Sequence, residues 1–190
     1  MTNQPKAVKS IPDGYTSVTP WIISRNSAAL IDFLQRAFRA EELARVYVGD
    51  GVIGHAEVRI GDAVVMMFDA KPEWPDSPAY LRLYVEDCED VYQQALAAGA
   101  VSVTEPTSLF FGDKVGRVRD PFGNLWWVQT RMEDLTPEEV EQRAQDPEYI
   151  KAMTYVAGAE IVVKEVKQNQ YNRRARMDSV SRGMHGWLGL

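Results

Sequence analysis

The chain is poor in the side chains that build disulfides and metal clusters: its 190 residues hold one cysteine, Cys88, and two histidines, His55 and His185. A lone cysteine excludes an internal disulfide and any cysteine-based metal cluster. Positive charge is also short, 21 Lys and Arg against 27 Asp and Glu for a formal −6. The chain as a whole therefore repels nucleic acid and anionic membranes, and neither is expected as a partner. Long apolar runs are missing, and the opening MTNQPKAVKS has no apolar segment of the kind a secretion signal requires. A cytoplasmic location is the expectation. What is present, 45% hydrophobic and 25% charged residues, suits a globular protein with a real core.

Two amphipathic helices stand out. Residues 30, 33, 34, 37 and 38 are apolar at helical spacing behind Asn26 as N-cap, and Val91, Tyr92, Ala95, Leu96 and Ala98 follow Asp87 in the same way, with Gly99 as the stop. The caps are 61 positions apart, and each follows a β-rich run, Ser17 to Ile23 and Ala79 to Val85. Extended segments come after each helix: Leu43 to Val48, Val52 to Ile60 and Ala63 to Phe68, then Val101 to Thr104, Phe110 to Arg119 and Asn124 to Thr130. Gly51 and Gly112 are again 61 apart, and the turn signals Gly61-Asp62 and Pro121-Phe-Gly123 precede the two last strands. Strand, helix and three strands, twice over, is the economical reading. It gives an α+β fold of two tandem βαβββ modules, residues ~15–70 and ~78–131, each sheet carrying its helix on one face and leaving the other free to form a cleft.

The domain plan is then an N-terminal arm over 1–14, a double module over 15–133 and a C-terminal extension over 134–190. In the extension, Thr136, Pro137 and Glu139 mark the start of a helix near 136–145 through a capping box. A strand over Ala159 to Val166 is open, and from Lys167 to Arg182 five basic residues against Asp178 leave +4. That tail reads as a solvated segment or one that packs on a partner subunit, since Tyr171 is its only stacking aromatic. Cys88 falls where the second helix begins; a small buried, inert thiol is preferred there over a reactive one. Asp62 and Asp120 precede tight turns and are read as backbone caps.

Three stretches carry a resemblance: Val18-Thr-Pro-Trp-Ile-Ile with its capped helix, Gly54-His-Ala-Glu-Val-Arg-Ile-Gly-Asp62, and Asp120-Pro-Phe-Gly-Asn124 before an aromatic strand. Together with the repeat they resemble the vicinal oxygen chelate superfamily (glyoxalase, bleomycin resistance, dioxygenase), in particular its PhnB-like branch, over roughly residues 15 to 143. The resemblance implies metal ligands on the first and last strand of each module. Carried over by motif these fall at Thr19 and Tyr80, and at Met66 and Trp127, each pair 61 apart. A divalent catalytic ion wants imidazole or carboxylate donors, which thioether, indole and neutral phenol do not replace. No cofactor is expected. His55 and Glu57 share a strand face by the period of two and could make a two-ligand corner, but exposed or interfacial polar residues are the preferred reading, and His185 sits in a glycine-rich tail.

If the implied ligand positions face inward, so do their i±2 neighbours, and the cleft is aromatic with a few polar groups. The candidate ligand-binding set is Thr19, Trp21, Met66, Tyr80, Arg82, Trp127 and Gln129, a wall suited to an aromatic or extended apolar molecule, with Arg82 for an acidic group. Trp74, in the Pro-rich linker Lys71–Pro78, is either a lid or a packing residue. The leading functional expectation is metal-independent sequestration of a small aromatic or apolar molecule, as the bleomycin-resistance members perform. The alternatives are a lyase, isomerase or dioxygenase-like enzyme, with Tyr80 as acid–base and Arg82 stabilising an enolate-like charge, or an interaction protein working through the C-terminal extension. A homodimer is implied by the resemblance.

Overall fold

Helix α1 (Ser27–Phe38) begins where the Ala29 N–H donates to Asn26 Oδ1 at 3.0 Å, and ends at Arg39, which takes the left-handed conformation. Its apolar stripe puts Leu30, Ile31, Phe33, Leu34 and Ala37 fully out of solvent, a burial that stabilises by about 1.5–3 kcal/mol for each large side chain. Helix α2 (Cys88–Ala97) repeats the arrangement with Asp87 accepting from Glu89 N and Asp90 N, and Gly99 follows at φ 112°, a left-handed position that glycine takes without strain. Cys88 is buried at the first turn, and burial pushes its thiol up, away from the thiolate form.

The computed structural model describes residues 8–159. Around α1 lie β1 (Trp21–Ser24), β2 (Glu41–Tyr47), β3 (Ile53–Ile60) and β4 (Ala63–Asp69), in the order β1-β4-β3-β2. Around α2 lie β5 (Tyr80–Tyr84), β6 (Val101–Ser108), β7 (Asp113–Arg119) and β8 (Leu125–Arg131), in the equivalent order β5-β8-β7-β6. In each sheet the first strand runs parallel to the last because a helix must carry the chain across, and the other pairs are antiparallel. The repeat extends to register: Trp21 lies opposite Met66 and Arg82 opposite Trp127, both partners displaced by 61 positions. The two tandem βαβββ modules are therefore present as expected.

Alternation divides each strand between a helix-facing side and an open side. Ile22, Ala56, Val58, Val65 and Met67 face inward in the first sheet, and Val118, Trp126 and Val128 in the second, all within one shared core. The modules join helix to helix. Gln94 Nε2 donates to the carbonyls of Arg36 and Ala37 at 2.8 and 3.1 Å, and the Phe38 and Trp126 rings lie 4.9 Å apart. No strand of one sheet pairs with a strand of the other.

Asp120-Pro-Phe-Gly-Asn124 is a latch. The Asp120 carboxylate accepts from Phe122 N, Asn124 N, Asn124 Nδ2 and Trp126 Nε1 at 2.8–3.0 Å, and Asn124 Oδ1 accepts from Ala79 N at 2.9 Å, tying β8 to the start of β5. Burial pushes the Asp120 carboxyl up while these hydrogen bonds pull it down.

Several features differ from the sequence reading, among them that β6 runs on to Ser108 and not Thr104. Strand β1 starts at Trp21 and not near Ser17, because residues 16–19 turn on themselves through Thr16 Oγ1 to the Val18 carbonyl. Phe110 and Phe111 belong to a turn and not to β7, since Gly112 N donates to Leu109 O and Gly112 takes φ 89°. The extension holds two helices. The capping box forms around Thr136 and Glu139 for α3 (Pro137–Arg143), and a second helix, α4 (Pro147–Gly158), follows behind Asp146. Its Asp-Pro start and the apolar spacing of Tyr149, Ile150, Met153 and Val156 were available signals. Residues 160–166 of the strand considered over Ala159 to Val166, the basic tail and His185 lie outside the described residues.

Candidate functional site

Each open face carries a different covering. On the second sheet it is α4: Val156 packs with Leu109, Val115, Phe111 and Trp127, and Met153 and Ala152 join them. The Arg117 guanidinium, 2% exposed, donates to Thr104 Oγ1 at 3.1 Å and to the Val156 carbonyl, and lies over the Trp127 ring at 5.6 Å. A cation buried this far needs those partners, and burial pulls its pKa down.

The expected site residues of this module separate into two environments. Tyr80 and Arg82 are exposed on the edge strand β5, with the Tyr80 ring tilted against Trp127 at 6.5 Å, and among the described residues neither makes a side-chain hydrogen bond. Trp127 lies under α4, packed with Val156 and Met153. Gln129 is buried, its Nε2 donating to Asp113 and to Tyr84 Oη at 3.2 Å while its Oε1 has no partner among the described residues.

The first sheet is more open. Trp21, 54% exposed, stands at the centre of a row of edge-to-face rings: Phe68 at 5.7 Å and His55 at 6.1 Å, with Trp74 continuing from Phe68 at 6.0 Å. Trp74 thus packs on the first module. It is held there by Arg25, which donates to Asp76 Oδ1 at 2.7 Å and to the carbonyls of Lys71, Pro72 and Trp74. Lys71 sits over the Trp74 ring at 5.4 Å.

Beside this row is a polar group that follows from strand period alone. His55 Nε2 and Glu57 Oε1 are 2.8 Å apart, and the second carboxylate oxygen accepts from the Tyr15 hydroxyl, which the N-terminal arm lays over the sheet. Both bonds hold the Glu57 carboxyl below the usual carboxylate range, the one from Tyr15 most strongly. The arm also forms a cavity of about 450 Å³ with the sheet, lined by Ile11, Pro12, Tyr15, Thr16, Thr19 and Met66 among others. Thr19 and Met66 line this cavity together, and Trp21, opposite Met66 in register, lies beside Met66 on the sheet. Tyr15 was missed, because no local pattern announces which strand an arm will cross.

The metal positions implied by resemblance are occupied by Thr19, Met66, Tyr80 and Trp127, a donor set that does not fit a divalent ion. Among the described residues no three His, Cys, Asp or Glu side chains are grouped to hold one. Also among them, no helix is long and apolar enough to cross a membrane.

A family model described as the Glyoxalase/Bleomycin resistance protein/Dioxygenase superfamily matches residues 16–128. A protein of Mycobacterium bovis, described as the uncharacterized protein Mb0911c, is 34% identical over 136 residues, covering 66% of this chain and 90% of its own. Among solved structures, TioX from Micromonospora sp. ML1 has a TM-score of 0.51 at 22% identity, covering 64% of this chain and all of its own. Protein PA1353 from Pseudomonas aeruginosa has a TM-score of 0.53 at 19% identity, covering 62% of this chain and 99% of its own. At such identities the two structures speak to the fold alone.

Proposed function

The chain belongs to the glyoxalase/bleomycin resistance/dioxygenase superfamily, and on that premise we propose that it binds and sequesters a small planar aromatic or apolar molecule without a metal. One observation carries the reading: the half-exposed Trp21 ring, flanked edge-on by Phe68 and His55, on the face of the sheet turned from the core. Aromatic surfaces held in this way offer a flat ligand a large contact at little cost in side-chain ordering. Met66 and the adjoining cavity give the face depth and an adaptable apolar floor. On the second sheet, Tyr80 and Arg82 remain available, while Trp127 packs against α4 and Gln129 is buried against Asp113 and Tyr84.

The same reading includes a homodimer. Tyr80 and Tyr84 stand 49% and 64% exposed on the edge strand β5, an apolar rim that a second copy would cover.

The test is tryptophan quenching on titration with planar aromatic compounds, using the wild type and Trp21→Ala. Saturable, stoichiometric quenching with the compound recovered unchanged, and weakened about tenfold or more in the variant, is the expected result. Turnover of the compound would favour the enzymatic alternative, and no saturable binding across the series would dismiss the proposal.

A further inference from the structure

The His55–Glu57–Tyr15 group fixes where protons sit. A carboxylate held ionised can only accept hydrogen bonds, and each Glu57 oxygen does so, one from Tyr15 and one from His55 Nε2. His55 Nε2 is therefore the N–H nitrogen, and a neutral imidazole then presents its lone pair at Nδ1. Among the described residues Nδ1 makes no hydrogen bond, the His55 side chain is one-third exposed, and its ring makes a T-shaped contact with Trp21, 6.1 Å between centroids. An oriented acceptor nitrogen beside a half-exposed indole selects a ligand that is flat and carries a donor at its rim.

We propose that His55, set by Glu57 and Tyr15, is the polar anchor of the first-sheet face and accepts the hydroxyl proton of a phenol-type aromatic ligand at Nδ1. This rests on the proposed function above and narrows its ligand class. Glu57 is a positioning residue: it does not touch the ligand but determines which imidazole nitrogen is the acceptor, a device in which the partner of one ring nitrogen sets the chemistry of the other. Replacing Glu57 by glutamine supplies an amide N–H₂ that can donate to Nε2, which would turn Nδ1 into a donor.

The experiment compares 1-naphthol with 1-methoxynaphthalene, in which a methyl group replaces the hydroxyl proton, by calorimetric titration of the full chain. The wild type is expected to prefer 1-naphthol by about tenfold, the worth of one hydrogen bond near 1.4 kcal/mol. In His55→Phe the preference should be lost, the two compounds binding with equal affinity. Glu57→Gln should abolish the preference as well, while retaining ether binding. Equal affinities in the wild type, or a preference that survives both variants, would overturn the anchor while leaving the aromatic-binding reading in place. If neither compound binds the wild type, both fall together.

Discussion

The Arg117 guanidinium donates to the backbone carbonyl of Val156, so that the C-terminal helix α4 is fastened to the face of the second sheet that α2 leaves bare. Arg117 stands at the place in this sheet that Glu57 occupies in the first: each lies directly across from the residue, Trp127 or Met66, at the implied last-strand metal position. Equivalent positions thus hold a carboxylate beneath an N-terminal arm and a guanidinium beneath a C-terminal helix.

Arg117→Ala should loosen α4. It leaves the Val156 carbonyl and Thr104 hydroxyl without their buried donor and removes the cation from the Trp127 ring, a cost of about 2 kcal/mol or more in chemical denaturation. Hydrogen exchange should show faster exchange in residues 147–158 with the first sheet unaffected. Protection equal to the wild type would mean that α4 is held by its apolar contacts alone. Val156→Ala, which deletes two buried methyl equivalents, should cost about 1–2 kcal/mol in the same assay.

Asp120→Ala should be more severe, about 3 kcal/mol or more, because it strands the Trp126 indole N–H and the Asn124 amide inside the core. Urea unfolding measures this directly. A loss under 1 kcal/mol would show that water replaces the carboxylate.

The Tyr15–Glu57 bond should give stability a defined pH window. The Glu57 pKa is lowered in the folded state, so its contribution is complete above the ordinary carboxylate range and is lost as pH falls through the depressed value. Hydrogen bonding to Glu57 raises the Tyr15 pKa above the usual 10.0, so its contribution is complete below that value and is lost as pH rises through the raised one. The stability difference between wild type and Tyr15→Phe should therefore be flat across the middle range and shrink at both ends. A difference that does not vary with pH would contradict the bond.

Ligand binding should be indifferent to metal. Exhaustive chelation followed by the quenching titration should return the wild-type affinity, because the side chains at the four implied ligand positions do not provide a divalent site. Affinity lost on chelation and restored by one divalent ion would overturn the metal-free reading.

Light scattering should give a mass near twice the chain's 21.4 kDa. Replacing Tyr80 and Tyr84 together by serine should shift the mass toward that of one chain. A wild-type mass of one chain would remove the dimer from the proposal.

How far the sequence reached can be followed through particular residues. Asn26 and Asp87 cap their helices, and Gly99 ends the second, because caps and stops are settled within a few residues by local hydrogen bonding. The 61-residue spacing carried the register of Trp21 with Met66 and of Arg82 with Trp127, since a repeated pattern of periods repeats its pairing. The shared face of His55 and Glu57 was likewise legible from the strand period. Tertiary structure alone decided what covers each open face: Tyr15 reaches Glu57 across 42 positions, and Val156 reaches Arg117 across 39. Contacts of that range depend on where a segment's apolar and polar groups find complements in space, which no local periodicity encodes. For that reason the set read as one wall divides into Trp21 and Met66 on the first sheet with Thr19 in the turn before it, and Tyr80, Arg82, Trp127 and Gln129 on the second, with Trp127 beneath a helix and Gln129 buried.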